Sequence, residues 1–189
     1  MASTGDVQMV RRNHQHRRHG FTLIEILTVV VILGIASAII VPQIGTSSGL
    51  KTASAARAVM ADLMYAQNKA ITSQQPVYVS FDITNKQYSL CSAVSPSKVY
   101  INNPVSDANY ITQFGANGAG TLSQCTLVSA SFGSNLTTLW FDEMGVPYAY
   151  DPSTNTSSAL SAAGTVVIQC GTSTLTLSVL PDTGELTVQ

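Results

Sequence analysis

The segment Phe21–Val41, FTLIEILTVVVILGIASAIIV, constrains this chain more than any other. It holds a single charge, Glu25, and is bounded by Gly20 and Pro42. Wound as a helix at about 1.5 Å per residue, it spans roughly 31 Å, the thickness of a bilayer's hydrocarbon core. A helix buried in a globular core would show polar residues at helical spacing, and none recur here. An ordinary secretory signal is the alternative, with a cut near Ala38, but such signals carry a shorter apolar region. Arg11, Arg12, Arg17 and Arg18 precede the run, and no basic residue follows it until Lys51. The positive-inside tendency leaves residues 1–20 in the cytoplasm and sends the remainder outward, a single-pass membrane anchor.

Beyond the anchor, Pro42, Gly45 and Gly49 mark a kink or weak point in the helix. Helical periodicity resumes with Ala53, Ala56, Val59, Met60, Leu63, Met64 and Ile71, leaving Arg57, Asp62 and Lys69 free to face away. The spacing predicts an amphipathic helix from Thr52 to about Ser73 whose apolar stripe covers a sheet. From Pro76 the pattern turns to short alternating segments with turn residues between them. The strands expected are Val77–Asp82, Gln87–Cys91, Val99–Ile101, Cys125–Ala130, Leu139–Asp142, Thr165–Cys170, Leu175–Leu180 and Glu185–Val188. The last three are joined by short turns and read as consecutive antiparallel pairs. The Gly- and Ser-rich stretches 102–124 and 151–164 read as loops. The fold class is α+β.

Charge narrows the function classes. Only 10% of residues are Asp, Glu, Lys or Arg, against roughly 25% in a typical soluble domain. Residues 43–189 carry Lys51, Arg57, Lys69, Lys86 and Lys98 against eight carboxylates. Such a balance gives no general attraction for phosphate backbones, so nucleic acid is not an expected partner. All three histidines, His14, His16 and His19, precede the anchor, which removes the commonest general base and zinc ligand from the remainder. No Gly-rich phosphate loop or nucleophile elbow is present. Asp142 and Glu143 are adjacent and would point to opposite faces of a continuing strand, so they do not form a catalytic carboxylate pair. Asp151, Asn155 and nearby hydroxyls offer oxygen ligands, but their spacing fits no calcium loop. No enzyme, cofactor or metal is expected. Cys91, Cys125 and Cys170 leave three disulfide connectivities open, and also the reading of all three as buried thiols.

Gly20-Phe21-Thr22-Leu23-Ile24-Glu25, with the basic leader before it, the long apolar run behind it and Pro42, resembles the class III signal of type IV prepilins and pseudopilins. The resemblance implies cleavage between Gly20 and Phe21 by a prepilin peptidase and N-methylation of Phe21 by the same membrane enzyme. It divides the chain into a cleaved leader (1–20), a transmembrane and assembly segment (21–41), an amphipathic continuation (42–75) and a β-rich domain outside the cytoplasm (76–189). Glu25 then has a physical role. A carboxylate in apolar sequence is costly and marks a function. The new Phe21 amine, with an ordinary pKa near 8, is mostly cationic at neutral pH. In a stagger of parallel helices, Glu25 of one subunit pairs with the amine of the next and rewards one axial register. The bland reading is that Glu25 merely reaches the interface from the end of the span.

Downstream, Ala55-Ala56-Arg57 through Ala66-Gln67-Asn68-Lys69-Ala70-Ile71, Trp140-Phe141-Asp142-Glu143-Met144-Gly145-Val146-Pro147 and Val179-Leu180-Pro181-Asp182-Thr183-Gly184-Glu185-Leu186 resemble, in that order, the GspH/FimT-like minor pilin and pseudopilin branch. The implied fold is a long N-terminal helix packed on antiparallel sheets. The implied function is a minor structural subunit near the tip of a type II secretion pseudopilus or type IV pilus. Its partners would be other pilins, the prepilin peptidase and an inner-membrane platform protein. The alternative is a membrane-anchored adhesin or DNA-uptake module, for which the absence of Lys or Arg after Lys98 is unfavourable.

Overall fold

A computed structural model describes the backbone of residues 21–44 and 47–189, and the side chains of 21–37 and 48–189. The expected leader, Gly20 included, lies outside the described residues. The chain forms two compact units, Met1–Ile44 and Gly45–Gln189.

In the first unit, helix α1 runs from Leu23 to Ile44. It persists past Pro42. The junction at residues 45–46 is not described, and the kink expected at Pro42 falls beside it. Among the described residues no helix is long and apolar enough to cross a membrane.

The second unit opens with helix α2, Ser47–Ser73. Its end follows from local chemistry. Gln74 adopts φ 51, and the Gln75 N–H reaches back to the Ala70 carbonyl at 3.4 Å, the closing bond of a left-handed C-terminal cap. Pro76 then prevents continuation. One face of α2 is buried: Thr52, Ala55, Ala56, Val59, Leu63, Ala66 and Ala70. This stripe differs from the expected one. Met64 and Ile71 are exposed, and Asp62 is half-buried rather than turned outward. The small alanines let the helix settle closely on the sheets along the Val59–Leu63 line. Met64 lies about 100° further round the helix and misses that surface.

Two antiparallel sheets receive the helix. The larger contains β1 (Val77–Asp82), β2 (Gln87–Ala93), β3 (Val99–Tyr100), β4 (Ile111–Gln113), β6 (Thr138–Phe141), β7 (Pro147–Asp151) and β8 (Thr156–Ala159). Its order is β3-β2-β1-β6-β7-β8, with β4 also paired to β2. The smaller contains β5 (Cys125–Ser131), β9 (Gly164–Cys170), β10 (Ser173–Val179) and β11 (Leu186–Val188), in the order β11-β10-β9-β5. The consecutive pairing of the last three strands is as expected. Strand β4, within the expected loop 102–124, was missed, as were β7 and β8. β4 has three residues with no alternating apolar face. β7 opens on Pro147, which reads as a breaker. β8 is a wholly exposed edge of Thr, Ser and Ala. Two 3-10 turns, Gly115–Asn117 and Gly120–Gln124, lie further along the same segment.

The main core lies between the two sheets and the helix, and a smaller cluster around Cys91, Val94 and Tyr150 sits apart from it. Val77, Val79, Phe81, Tyr88, Leu90, Leu139 and Phe141 of the larger sheet and Leu127, Val166, Ile168, Leu177 and Val179 of the smaller meet the buried face of α2. The other face of the larger sheet carries a cross-strand row. Cys91 and Trp140 sit opposite Tyr78, and Tyr148 opposite Trp140. The Tyr78, Trp140 and Tyr148 rings stack at 5.8 and 5.0 Å.

Candidate functional site

The N-terminal segment is built around Thr22. Its side-chain Oγ1 and its carbonyl accept from the Glu25 N–H at 3.3 and 3.1 Å. Thr22 thus caps α1, and Thr-x-x-Glu is the sequence of a capping box. Glu25 occupies the first turn, where the partial positive charge of the helix start favours a carboxylate. Phe21 lies just ahead of the cap, so an amine created there would sit one turn from Glu25. The other described polar side chains of this helix, Thr28 and Ser37, are satisfied internally. Thr28 donates to the Ile24 carbonyl and Ser37 to the Leu33 carbonyl, each at 2.7 Å. An ionised carboxylate has no proton to return in that way and needs a donor from elsewhere. Around it the apolar side chains Leu23, Ile24, Ile26, Leu27, Val29, Val30 and onward to Ile35 are exposed on every side of the helix.

In the second unit the family-like motifs converge on one side chain. Gln67 donates from Nε2 to the Gly145 carbonyl at 2.9 Å and to the Thr183 carbonyl at 3.0 Å. The first acceptor lies in the β6–β7 turn and the second in the β10–β11 turn, so one amide joins α2 to both sheets. Both turns require glycine. Gly145 has φ +84 and Gly184 has φ +68, and a Cβ on Gly184 would lie 2.7 Å from Gln67 Nε2. The turn after β6 is set by Asp142, whose Oδ1 accepts from the N–H of Met144 at 2.9 Å and of Val146 at 2.8 Å. The strand ends at Phe141, one residue short of the expected Asp142, so Asp142 and Glu143 are both turn residues.

A second convergence was missed from sequence. Asp62, on α2, accepts from Tyr88 Oη at 2.6 Å, Tyr110 Oη at 2.9 Å and Thr112 Oγ1 at 3.2 Å. Three hydroxyls around one carboxylate satisfy it without a cation. They tie β2, β4 and the segment between β3 and β4 to the helix. Tyr65, one turn on, stacks against Tyr110 at 5.5 Å. Burial, then the adjacent Asp62 charge, raise the Tyr88 phenol well above its ordinary value. The same two causes raise Tyr110. Only the helical spacing of Asp62 from the buried Val59 (i−3) and Ala66 (i+4) hinted at its inward reach.

Cys125 and Cys170 face each other across β5 and β9 and are joined by a disulfide with Cα atoms 4.1 Å apart. Cys91 is a buried free thiol, held in the protonated form by burial. Among the described residues no group of three His, Cys, Asp or Glu side chains could hold a metal. The Asp151 carboxylate accepts from Ser153 N and Oγ at 2.9 and 2.6 Å, while Asn155 Oδ1 accepts from Tyr150 Oη at 2.5 Å. Both therefore shape the β7–β8 turn.

A capped apolar helix followed by a helix laid on two antiparallel sheets defines a pilin-type subunit. The model of the prokaryotic N-terminal methylation motif matches residues 15–41, and that of the type II transport protein GspH family matches residues 55–183. The chain belongs to the type II transport protein GspH family. Its fold is similar to that of the minor pseudopilin EpsH from the type 2 secretion system of Vibrio cholerae, with TM-score 0.50, 12% identity, and coverage of 74% of this chain and 96% of that one. The type IV minor pilin FimU of Pseudomonas aeruginosa also matches, with TM-score 0.45, 15% identity, and coverage of 72% and 90%. No curated protein sequence matches the chain.

Proposed function

We propose that this chain is a minor structural subunit, held in the inner membrane by residues 21–41 after removal of the leader 1–20, and drawn from there into a pseudopilus or pilus. The observation that carries this reading is the capped start of α1, with its ring of exposed apolar side chains and one carboxylate in the first turn. Such a surface is stable only in lipid or against neighbouring apolar helices. Leaving the bilayer for a filament core exchanges one apolar surrounding for another, so the transfer depends on Glu25. Its pairing with the methylated Phe21 amine of an adjacent subunit neutralises both charges in a low-dielectric setting and selects the axial stagger. The domain of residues 76–189 then lies outside the cytoplasm, at the filament surface near the tip. Its partners are other pilins, the prepilin peptidase that also methylates Phe21, and the platform protein of the inner membrane.

Co-expression with a prepilin peptidase, followed by N-terminal sequencing, should return methylated Phe21 as the first residue. A protein retaining its arginine-rich leader under those conditions removes the basis of this function. Glu25→Ala should leave cleavage intact while reducing incorporation into sheared filaments, and normal incorporation would refute the register role.

A further inference from the structure

The face of the larger sheet turned away from α2 carries buried polar side chains. Along β1, Val77, Val79 and Phe81 enter the core, so the alternating Tyr78, Ser80 and Asp82 face the other way. Ser80 sits opposite Ser89 of β2 on one side and Thr138 of β6 on the other. These three hydroxyls form a row across the sheet, and all are buried, with exposures of 6%, 4% and 2% in that order. Buried hydroxyls are ordinarily spent on short bonds of about 2.7–2.8 Å. Among the described residues, the Ser80 and Thr138 hydroxyls have only each other, at 3.5 Å. Both open onto a cavity of about 450 Å³ that is lined also by Val94, Pro152, Asp82 and Lys98. That volume falls within the range of small-molecule sites.

The lining decides what such a cavity accepts. One cation and one carboxylate cancel, so a charged ligand gains little from the site as a whole. Asp82 is moreover engaged already, accepting from the Asn85 N–H at 3.0 Å and from its side-chain amide at 2.7 Å. The Ser80 and Thr138 hydroxyls can each donate and accept, and they stand side by side as neighbouring hydroxyls of a sugar ring do. Val94 and Pro152 offer hydrocarbon to the C–H groups between such hydroxyls. We propose that this cavity binds a neutral pyranose sugar, two adjacent hydroxyls of which bond Ser80 and Thr138 while Lys98 donates to a third. The site uses neither Phe21 nor Glu25, so it stands or falls apart from the filament reading.

The chain's one tryptophan reports on the site. Trp140 lies two residues from Thr138 on the same face of β6, about 7 Å along the strand, and its ring stacks on Tyr78. The full chain, in a detergent without a sugar headgroup, is titrated with glucose, galactose, mannose and N-acetylglucosamine. Expected is a saturable change in tryptophan fluorescence with at least one of them, matched by saturation transfer to that sugar in NMR. Ser80→Ala and Thr138→Val should each weaken its binding about fivefold, and the exposed Lys98→Met about threefold, each through one lost hydrogen bond. Urea midpoints show whether the two buried variants fold, and Lys98→Met tests the site without touching the sheet. Ser158→Ala on β8 should bind as the unaltered chain does. Undiminished affinity in Lys98→Met and Thr138→Val would put the sugar elsewhere and overturn the proposal. Silence by both readouts with all four sugars, or a response to glutamate or sulfate that no sugar displaces, would overturn it equally.

Discussion

Removing the Asp62 carboxylate should loosen the second unit more than any other single polar change. In Asp62→Ala, three hydroxyls lose their acceptor. Tyr88 is fully buried, so loss of the acceptor of its 2.6 Å bond carries the larger penalty, about 2–3 kcal/mol for a charge-assisted bond with a donor left unpaired. Tyr110 and Thr112 lie nearer solvent and recover much of their loss, adding about 1 kcal/mol together. The expected total is about 3–4 kcal/mol, or a fall in Tm of about 10 °C for a unit of this size. The assay is urea unfolding of the Gly45–Gln189 unit, which contains the described core. Asp62→Asn, which keeps one acceptor oxygen, should lose only about 1–2 kcal/mol. Asp62→Ala combined with Tyr88→Phe should be less destabilised than the sum of the single changes by about 1–2 kcal/mol, because the orphaned hydroxyl is gone. Additive losses, or a loss below about 1 kcal/mol for Asp62→Ala, would refute the view that this carboxylate anchors the sheet to the helix.

Three further outcomes are expected. Folding favours the protonated phenols of Tyr88 and Tyr110, whose values are raised. Their contribution is intact below about pH 10 and lost above it as the unfolded chain ionises. Urea midpoints should therefore fall steeply from pH 10 upward, and less steeply in Tyr88→Phe. Reducing the Cys125–Cys170 bond, whose partners lie 45 residues apart, should cost about 4 kcal/mol on a chain-entropy estimate, read as a dithiothreitol-dependent drop in the urea midpoint. Gly184→Ala should cost at least about 2 kcal/mol, since its Cβ meets Gln67 Nε2. Gly133→Ala, also at positive φ but facing open space, should cost only about 1 kcal/mol of backbone strain, a difference readable by thermal melts.

The N-terminal apolar helix, the strand-rich domain and the order of the last strands were legible because each depends on local pattern or turn chemistry. The missed pieces depend on distant partners. β8 has no apolar face to announce it, and it exists because Tyr148 and Tyr150 of β7 offer a paired edge. Asp62 looks like a surface charge until β2, β4 and the residue just before β4 bring Tyr88, Thr112 and Tyr110 to it. Cys125 and Cys170 can be matched only once β5 and β9 are in register, and that register shifts at a bulge between Leu127 and Ser129. Gln67 sits within a family-like motif, but its meaning appears only when the Gly145 and Gly184 turns meet at one amide. The Thr22 cap was readable in principle, since Thr-x-x-Glu stands directly before the apolar run.

Gln67 also has a mechanical consequence. The Thr52 hydroxyl reaches the Ser173 carbonyl of β10 at 3.3 Å near the inner end of α2, and Gln67 grips both turns twenty-odd ångströms further along, at about 1.5 Å per residue. Traction applied through the helix is therefore delivered to the two sheets side by side, as a shear shared among several bonds. Peeling one sheet away first would require the amide to release one turn while still loaded by the other.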